Sequence, residues 1–418
     1  MNLILKNAII VDSKSQFHFQ KKDILIESGI IKKIENIIKP KNEKVISCNN
    51  LHVSSGWFDS SVSFGEPGYE ERETLENGLK TSAKSGFTNI ILNPNTNPII
   101  DSHSSVSHIT KVTNHQLTKV HVIGSLTKES LGAELSPLYD MHLAGAVAFG
   151  DYKKTIDDSN LMRIALDYVQ SFNGLIMSYP IDTNLSRKGL MHEGIVSLNL
   201  GMKGIPEIAE TSILSRDLDL IEYTNGKLHF PFISSKKSLN IIREAKNKGL
   251  KVTCGVSIAH LIFTDENLLS YDTNFKLNPP LRSKDDRQAL REGLLDGTID
   301  LVSSMHEPMN IEYKKVEFSK ALDGSIGLES IFGLLNNIFT LEKSISFLTR
   351  GKNIFNIEDN ILNVGEKACL TMFCPDSNYE FDENHIISKS KNCAFIKTSL
   401  KGKVFGVIKG DNIILNSD

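Results

Sequence analysis

Residues 51–74, LHVSSGWFDSSVSFGEPGYEERET, begin as an apolar, β-branched run and end in a loop marked by Glu66-Pro67-Gly68. The first part reads as a strand. Seven comparable runs follow it: GFTNIILNP, KVHVIGSL, GAVAFGD, GLIMSYP, KLHFPFIS, KVTCGVS and DLVSSMH. Most intervening segments have helical periodicity, among them LNIIREAKNKG before the seventh run and RQALREGLLDGTI before the eighth. Strands alternating with helices in this number predict an α/β fold, a closed parallel (β/α)8 barrel of the TIM type. Chemistry in such a barrel sits at the C-terminal ends of the strands.

Outside these runs the two chain ends read alike. NLILKNAIIV, KKDILIESGIIKKIEN and KVISCNN precede them, and ACLTMFCP and GKVFGVIKGDNIIL follow, all as short strands with turns. The expected organisation is a small β-sandwich domain composed of residues 1–50 and 360–418 around a barrel at 51–359.

A chain of 418 residues has ample apolar surface to bury without disulfides or metals. Its 47 basic and 50 acidic residues nearly cancel and form no long block, which argues against nucleic acid or a membrane surface as partner. A small molecule or another protein fits better. Cys48, Cys254, Cys369, Cys374 and Cys393 form no C-x-x-C pair and read as reduced thiols of a cytoplasmic protein. The opening residues read as a strand rather than a signal peptide, and no apolar run is long enough for a membrane span.

A metal-dependent hydrolase built on a barrel needs histidine and carboxylate ligands converging at the strand ends. The first run ends with Asp59, Ser61 and Ser63, the fourth with Asp151, the fifth with Tyr179, the sixth with Phe232 and the eighth with Met305 and His306. Neutral serine hydroxyls are weak ligands for transition metals, and Phe and Met offer no hard donor. His103, His108, His115 and His121 are spaced 5, 7 and 6 apart, so no pair falls at i, i+4. No metal site and no cofactor are expected.

FGEPGYEERET, NPNTNP at 93–98, LNPPLRSKDDRQALREGLLDGTID at 277–300 and SKSKN near 388 resemble the dihydroorotase family of the amidohydrolase superfamily, the type that works with aspartate transcarbamoylase. Weaker similarity extends over essentially the whole chain. The resemblance implies zinc enzymes that interconvert carbamoyl aspartate and dihydroorotate in pyrimidine synthesis. The family's D-x-H-x-H falls on Asp59, Ser61 and Ser63, and its carboxylate-gripping arginine on Gly65. The acidic F-x-D-D stretch falls on Phe149 to Tyr152, leaving Asp151. Two further histidine ligands fall on Tyr179 and Phe232, with His229 at the non-ligand histidine of H-x-Q-H. The D-H-A-P-H motif, with its catalytic aspartate, falls on Met305, His306, Glu307, Pro308 and Met309. One lost ligand can be replaced by water or a neighbour; so many together cannot.

What the family pattern keeps is scaffold: Glu66-Pro67-Gly68, Asn93-Pro94-Asn95, Asn278-Pro279-Pro280 and Arg282. Asn95 and Asn278 fall at ligand-contacting or loop positions and serve equally well as turn residues. Asp151 reads as the one acid left at the mouth, with a structural hydrogen bond, and Lys153 and Lys154 as a solvated pair. His229 and His306 read as packing or hydrogen-bonding remnants. Tyr179, Phe232, Met305 and Met309 fill the volume vacated by metals, or line a new apolar pocket. The expectation is a non-catalytic dihydroorotase-like protein, a homo-oligomer partnering aspartate transcarbamoylase. The alternatives are an active dihydroorotase or related cyclic-amide hydrolase, and a small-molecule binding protein.

Overall fold

Each of the eight apolar runs holds a strand, and together they form one parallel sheet. The structure, a computed structural model, describes residues 2–416. Five strands open the chain: β1 (Asn2–Ile10), β2 (Lys21–Glu27), β3 (Ile30–Glu35), β4 (Lys44–Ile46) and β5 (His52–Ser55). The barrel strands are β6 (Trp57–Val62), β7 (Phe87–Leu92), β8 (Lys119–Gly124), β9 (Ala146–Phe149) and β10 (Ile176–Met177). A small parallel pair, β11 (Met191–His192) and β12 (Gly204–Ile205), interrupts them. The barrel then continues with β13 (Lys227–Phe230), β14 (Lys251–Ser257) and β15 (Leu301–Ser303). Last come β16 (Cys369–Glu380), β17 (Ser399–Lys409) and β18 (Asn412–Leu415).

The barrel strands neighbour one another in chain order from β6 to β15. The ring closes where the Ser63 amide donates to the His306 carbonyl at 2.8 Å and Val62 bridges His306 in parallel. Local chemistry starts the helices between strands. Thr74 caps Leu75–Lys84 by accepting from the Asn77 amide, Ser235 caps Lys236–Asn247, and Ser283 forms a capping box with Asp286 at the start of Lys284–Leu295.

The strands from the two chain ends are hydrogen-bonded into a single sheet, in the order β18, β17, β16, β5, β1, β2, β3, with β4 also on β1. Leu3, Leu5, Ile10, Ile24, Ile26, Leu370 and Ile408 are in its own apolar core. The run at 51–64, read as one strand, divides at Gly56. Residues His52–Ser55 pair with β1 and β16, while Trp57–Val62 pair with β7, so β5 belongs to the terminal sheet although it follows residue 50. A Cβ on Gly56 would lie 2.2 Å from the Thr88 hydroxyl oxygen, which explains why no larger residue stands at the crossing. The buried Lys352 ammonium donates to the Gly56 carbonyl at 3.0 Å.

Trp57 lies on the seam between the two units. It is fully buried among Phe87 of β7, Phe332 of the helix Ile331–Ile338 and Phe373 of β16, and its indole N–H donates to the Ser54 hydroxyl at 3.0 Å. Truncating so large a side chain removes transfer energy and leaves a cavity. Trp57→Ala is expected to lower unfolding free energy by about 3–5 kcal/mol, measured by urea denaturation followed by circular dichroism; an unchanged midpoint would contradict this account of the seam.

Candidate functional site

The C-terminal strand ends hold the side chains that the sequence singled out. Asp59 on β6 is fully buried. It accepts from the amide of Ser61 at 3.0 Å and of Ser304 at 2.9 Å, and from the Ser303 hydroxyl. Burial raises its carboxyl pKa, and these donors offset part of the rise. Ser61 and Ser63 face the end of β7. The Asn93 amide nitrogen donates to both hydroxyls, at 3.0 and 3.1 Å, and Ser63 donates on to the Asn95 carbonyl oxygen at 3.0 Å. Two hydroxyls, the Asn93 carboxamide and the Asn95 side-chain oxygen thus form one network.

Asp151 follows β9. Its carboxylate accepts from the Ser125 hydroxyl at 2.7 Å, the Thr127 amide at 2.9 Å and the Thr127 hydroxyl, all in the segment after β8. Asp151 is not the lone acid at the mouth, because Asp59 and Glu307 are also buried there. Of Lys153 and Lys154, expected as a solvated pair, Lys154 is exposed but Lys153 is not. Lys153 is largely buried in an ion pair with Glu307, across 154 positions of sequence, and Lys154 donates to the Ser130 carbonyl at 3.0 Å. Burial opposes the Lys153 ammonium, but Glu307 outweighs it and the pKa is raised.

Tyr179 extends from the end of β10 and donates its hydroxyl to the Asn278 side-chain oxygen at 2.8 Å, so one retained residue is occupied by one replacement. Phe232 and Met305 lie in the barrel core, and Met309 is buried with its amide donating to Asn392 at 2.9 Å. Gly65 has φ +112°, and a Cβ there would lie 2.6 Å from the Tyr69 carbonyl oxygen. Its backbone therefore excludes the arginine that the family pattern has at this position. Retained Arg282 is buried, donating to Glu210 at 3.1 Å and to the Ser234 hydroxyl at 2.6 Å. It ties the 278–283 loop to the helix Ile208–Thr224 and to the end of β13.

Two of the buried histidines, His229 and His306, are ones that the sequence singled out. His306 has its Nδ1 accepting from the amides of Gly327 and Leu328 at 3.3 and 3.4 Å, and burial lowers its pKa to about 4. The Nδ1 of His229 is 2.8 Å from the Thr253 hydroxyl, and burial lowers its pKa to about 3.

A zinc site requires three or more convergent nitrogen, sulfur or carboxylate donors. Among the described residues no three His, Cys, Asp or Glu side chains converge in that way. At the mouth, the carboxylates of Asp59, Asp151 and Glu307 are each engaged by hydroxyls, amides or a lysine. The donor set does not fit the metal that the family resemblance implies. The cavity bounded by Asn93, Asp151, Tyr152, Lys153, Met177 and Tyr179 measures about 20 Å³. One water needs roughly 10–15 Å³, whereas small-molecule sites occupy roughly 300–1,000 Å³. Sequence reasoning passed over Asn93 as a network centre and the Lys153–Glu307 pair. NPNTNP carried a signal for the first; no local signal joins residues 153 and 307.

A family model described as dihydro-orotase-like matches residues 52–238. The dihydroorotase of Pelotomaculum thermopropionicum is 36% identical over 422 aligned positions, covering 99% of each chain. That of Geobacter metallireducens is also 36% identical with 99% of each chain covered. Among solved structures, the L-hydantoinase (dihydropyrimidinase) of Arthrobacter aurescens superposes with a TM-score of 0.86 at 20% identity, covering 99% of this chain and 96% of that one. A D-hydantoinase superposes with a TM-score of 0.83 at 18% identity. These structures share the barrel fold.

Because His229 is neutral when buried and has an ordinary pKa of 6.5 when unfolded, the unfolded chain binds the extra proton as pH falls below 6.5. The stability of the neutral form is complete above that value and declines toward the folded pKa of about 3. His229→Gln should flatten the dependence of unfolding free energy on pH between 6 and 4 by roughly 1.4 kcal/mol per pH unit. Denaturant titrations across that range measure it; an unaltered slope would mean that His229 is not held neutral.

Proposed function

Given that the chain belongs to the dihydroorotase family, we propose that it is a non-catalytic member, a dihydroorotase-fold protein of pyrimidine biosynthesis acting as a structural partner of aspartate transcarbamoylase. The observation that carries this reading is a mouth whose carboxylates, serines and asparagines are engaged by neighbouring protein groups. Ser61 and Ser63 bond to Asn93 and Asn95, Tyr179 to Asn278, and Lys153 to Glu307. A catalytic site keeps open valences for substrate and for a metal-bound water. Here the carboxylates, serines and asparagines of the mouth are engaged with neighbouring groups, the Tyr152 hydroxyl and the Nε2 atoms of His229 and His306 being the buried polar atoms left without a partner, and the cavity beside Tyr179 measures about 20 Å³. The scaffold motifs meanwhile retain structural work, as the buried Arg282–Glu210 pair illustrates. A cytoplasmic location and a homo-oligomeric state belong to the same proposal; no helix among the described residues is long and apolar enough to cross a membrane.

A second reading is an active dihydroorotase or related cyclic-amide hydrolase. Its support is the name carried by relatives that align over 99% of the chain. It requires a ligand set other than the one found in those motifs. A binding protein using the mouth is disfavoured by the same small cavity.

Purified protein incubated with zinc should hydrolyse dihydroorotate no faster than the uncatalysed background, and should retain far less than one zinc per chain by elemental analysis. Turnover together with one or two zinc ions would establish the second reading instead. In sedimentation at micromolar concentration, the protein and the aspartate transcarbamoylase of the same organism should migrate as one complex; two independent boundaries would end the partner assignment.

A further inference from the structure

The five cysteines, expected to be ordinary reduced thiols, do not share one environment. Cys254, Cys369 and Cys393 are buried, whereas Cys48 and Cys374 are partly exposed. These two are also the pair in contact, with their sulfurs 2.9 Å apart and one thiol hydrogen-bonded to the other, across 326 positions of sequence. A disulfide has its sulfurs about 2.04 Å apart, so they must close by roughly 0.9 Å. The segments that carry them are already aligned. Cys48 lies between β4 and β5, Cys374 lies on β16, and β16 pairs with β5 through Phe373 and His52. Nearby, the Asn50 side chain donates to Asp376 at 2.6 Å, so a second tie fixes the same two stretches.

We propose that Cys48 and Cys374 are an oxidation site at which a small-molecule disulfide installs a reversible covalent link between the N-terminal and C-terminal segments that form the terminal sheet. The step is thiol–disulfide exchange. One thiolate attacks a sulfur of the small disulfide, forming a mixed disulfide and releasing one small thiolate. The second cysteine thiolate then attacks the protein sulfur of that mixed disulfide and expels the other small thiolate. Two protein thiols are oxidised, one small disulfide is reduced to two thiols, and the two protons pass to the released thiolates. Selectivity follows from access: burial pushes the Cys393 thiol up to about 12 and raises that of Cys254 as well, which suppresses their thiolates.

The test treats the folded full chain with oxidised glutathione at about pH 8, near the ordinary thiol pKa, followed by acid quenching, alkylation under denaturing conditions, and intact-mass and peptide analysis. The five alkylated cysteines of untreated protein should fall to three, with a loss of two hydrogens and a peptide joining Cys48 to Cys374. Oxidation should raise the thermal midpoint by several degrees, and dithiothreitol should reverse the rise. Cys374→Ser should show neither the link nor the rise. Persistence of all five thiols, a stable glutathione adduct on Cys48 in the unsubstituted chain, a link between separate chains, or a midpoint that does not rise would each overturn the proposal.

Discussion

Asp59 takes hydrogen bonds from the backbone of its own strand and from Ser303 and Ser304 at the end of the last strand, and across that carboxylate the barrel meets itself. Carboxylates are rarely buried without a cation, because losing hydration costs several kcal/mol. Here two amides and a hydroxyl stand in for water, and the group is fixed where β6 and β15 must come together. Close by, the Ser63 amide reaches the His306 carbonyl and the Ser303 hydroxyl reaches the Ser61 carbonyl at 3.3 Å, which further seat the first run against the eighth. The rest of the mouth is built around this closure. Asn93 can bridge Ser61 and Ser63 because β6 is held in place on its other side.

Several buried charges and dipoles of the mouth have a partner from a different strand end, although the Tyr152 hydroxyl and the Nε2 atoms of His229 and His306 have none. Asp151 is answered from the segment after β8, Glu307 by Lys153 after β9, Asn278 by Tyr179 after β10. Such cross-connections make the rim rigid, since a low-dielectric interior makes every unpaired group expensive. Apolar replacement does the remainder. Phe232 and Met305 occupy core volume, and the cavity beside Tyr179 holds little beyond a single water's space.

The barrel was legible because its signal is repetitive: eight apolar runs separated by helical periodicity constrain the topology even when a single run is misjudged. The misjudged one is instructive. Residues 51–64 mix apolar residues with serines, His52 and Asp59 and are buried without a break, so composition did not show that the chain changes sheets at Gly56, a crossing that needs only one residue without a side chain. That Asp59 lies on a strand, and Asp151 and Tyr179 just beyond strand ends, was legible in the apolar runs, but their contacts were not. The β6–β7 register shifts twice, between Trp57 and Phe58 and between Asp59 and Val62, so simple alternation along the strand does not give the direction of each side chain. The Lys153–Glu307 pair lies beyond any local pattern, and an isolated lysine pair in sequence gives no warning that one member is buried.

The terminal sheet has an implication for how the chain acquires its structure during synthesis. β5 sits between β1 and β16, so one of its edges finds its partner only after residues 370–373 have been made. At roughly 5–20 residues per second, the ribosome takes tens of seconds to supply them. The barrel strands, whose neighbours are successive, can pair in the order in which they emerge. For that interval the nascent N-terminal strands present an open β-edge, the kind of surface that recruits chaperones or pairs with another unfinished chain. The last strands to leave the ribosome thus complete the sheet that the first ones began.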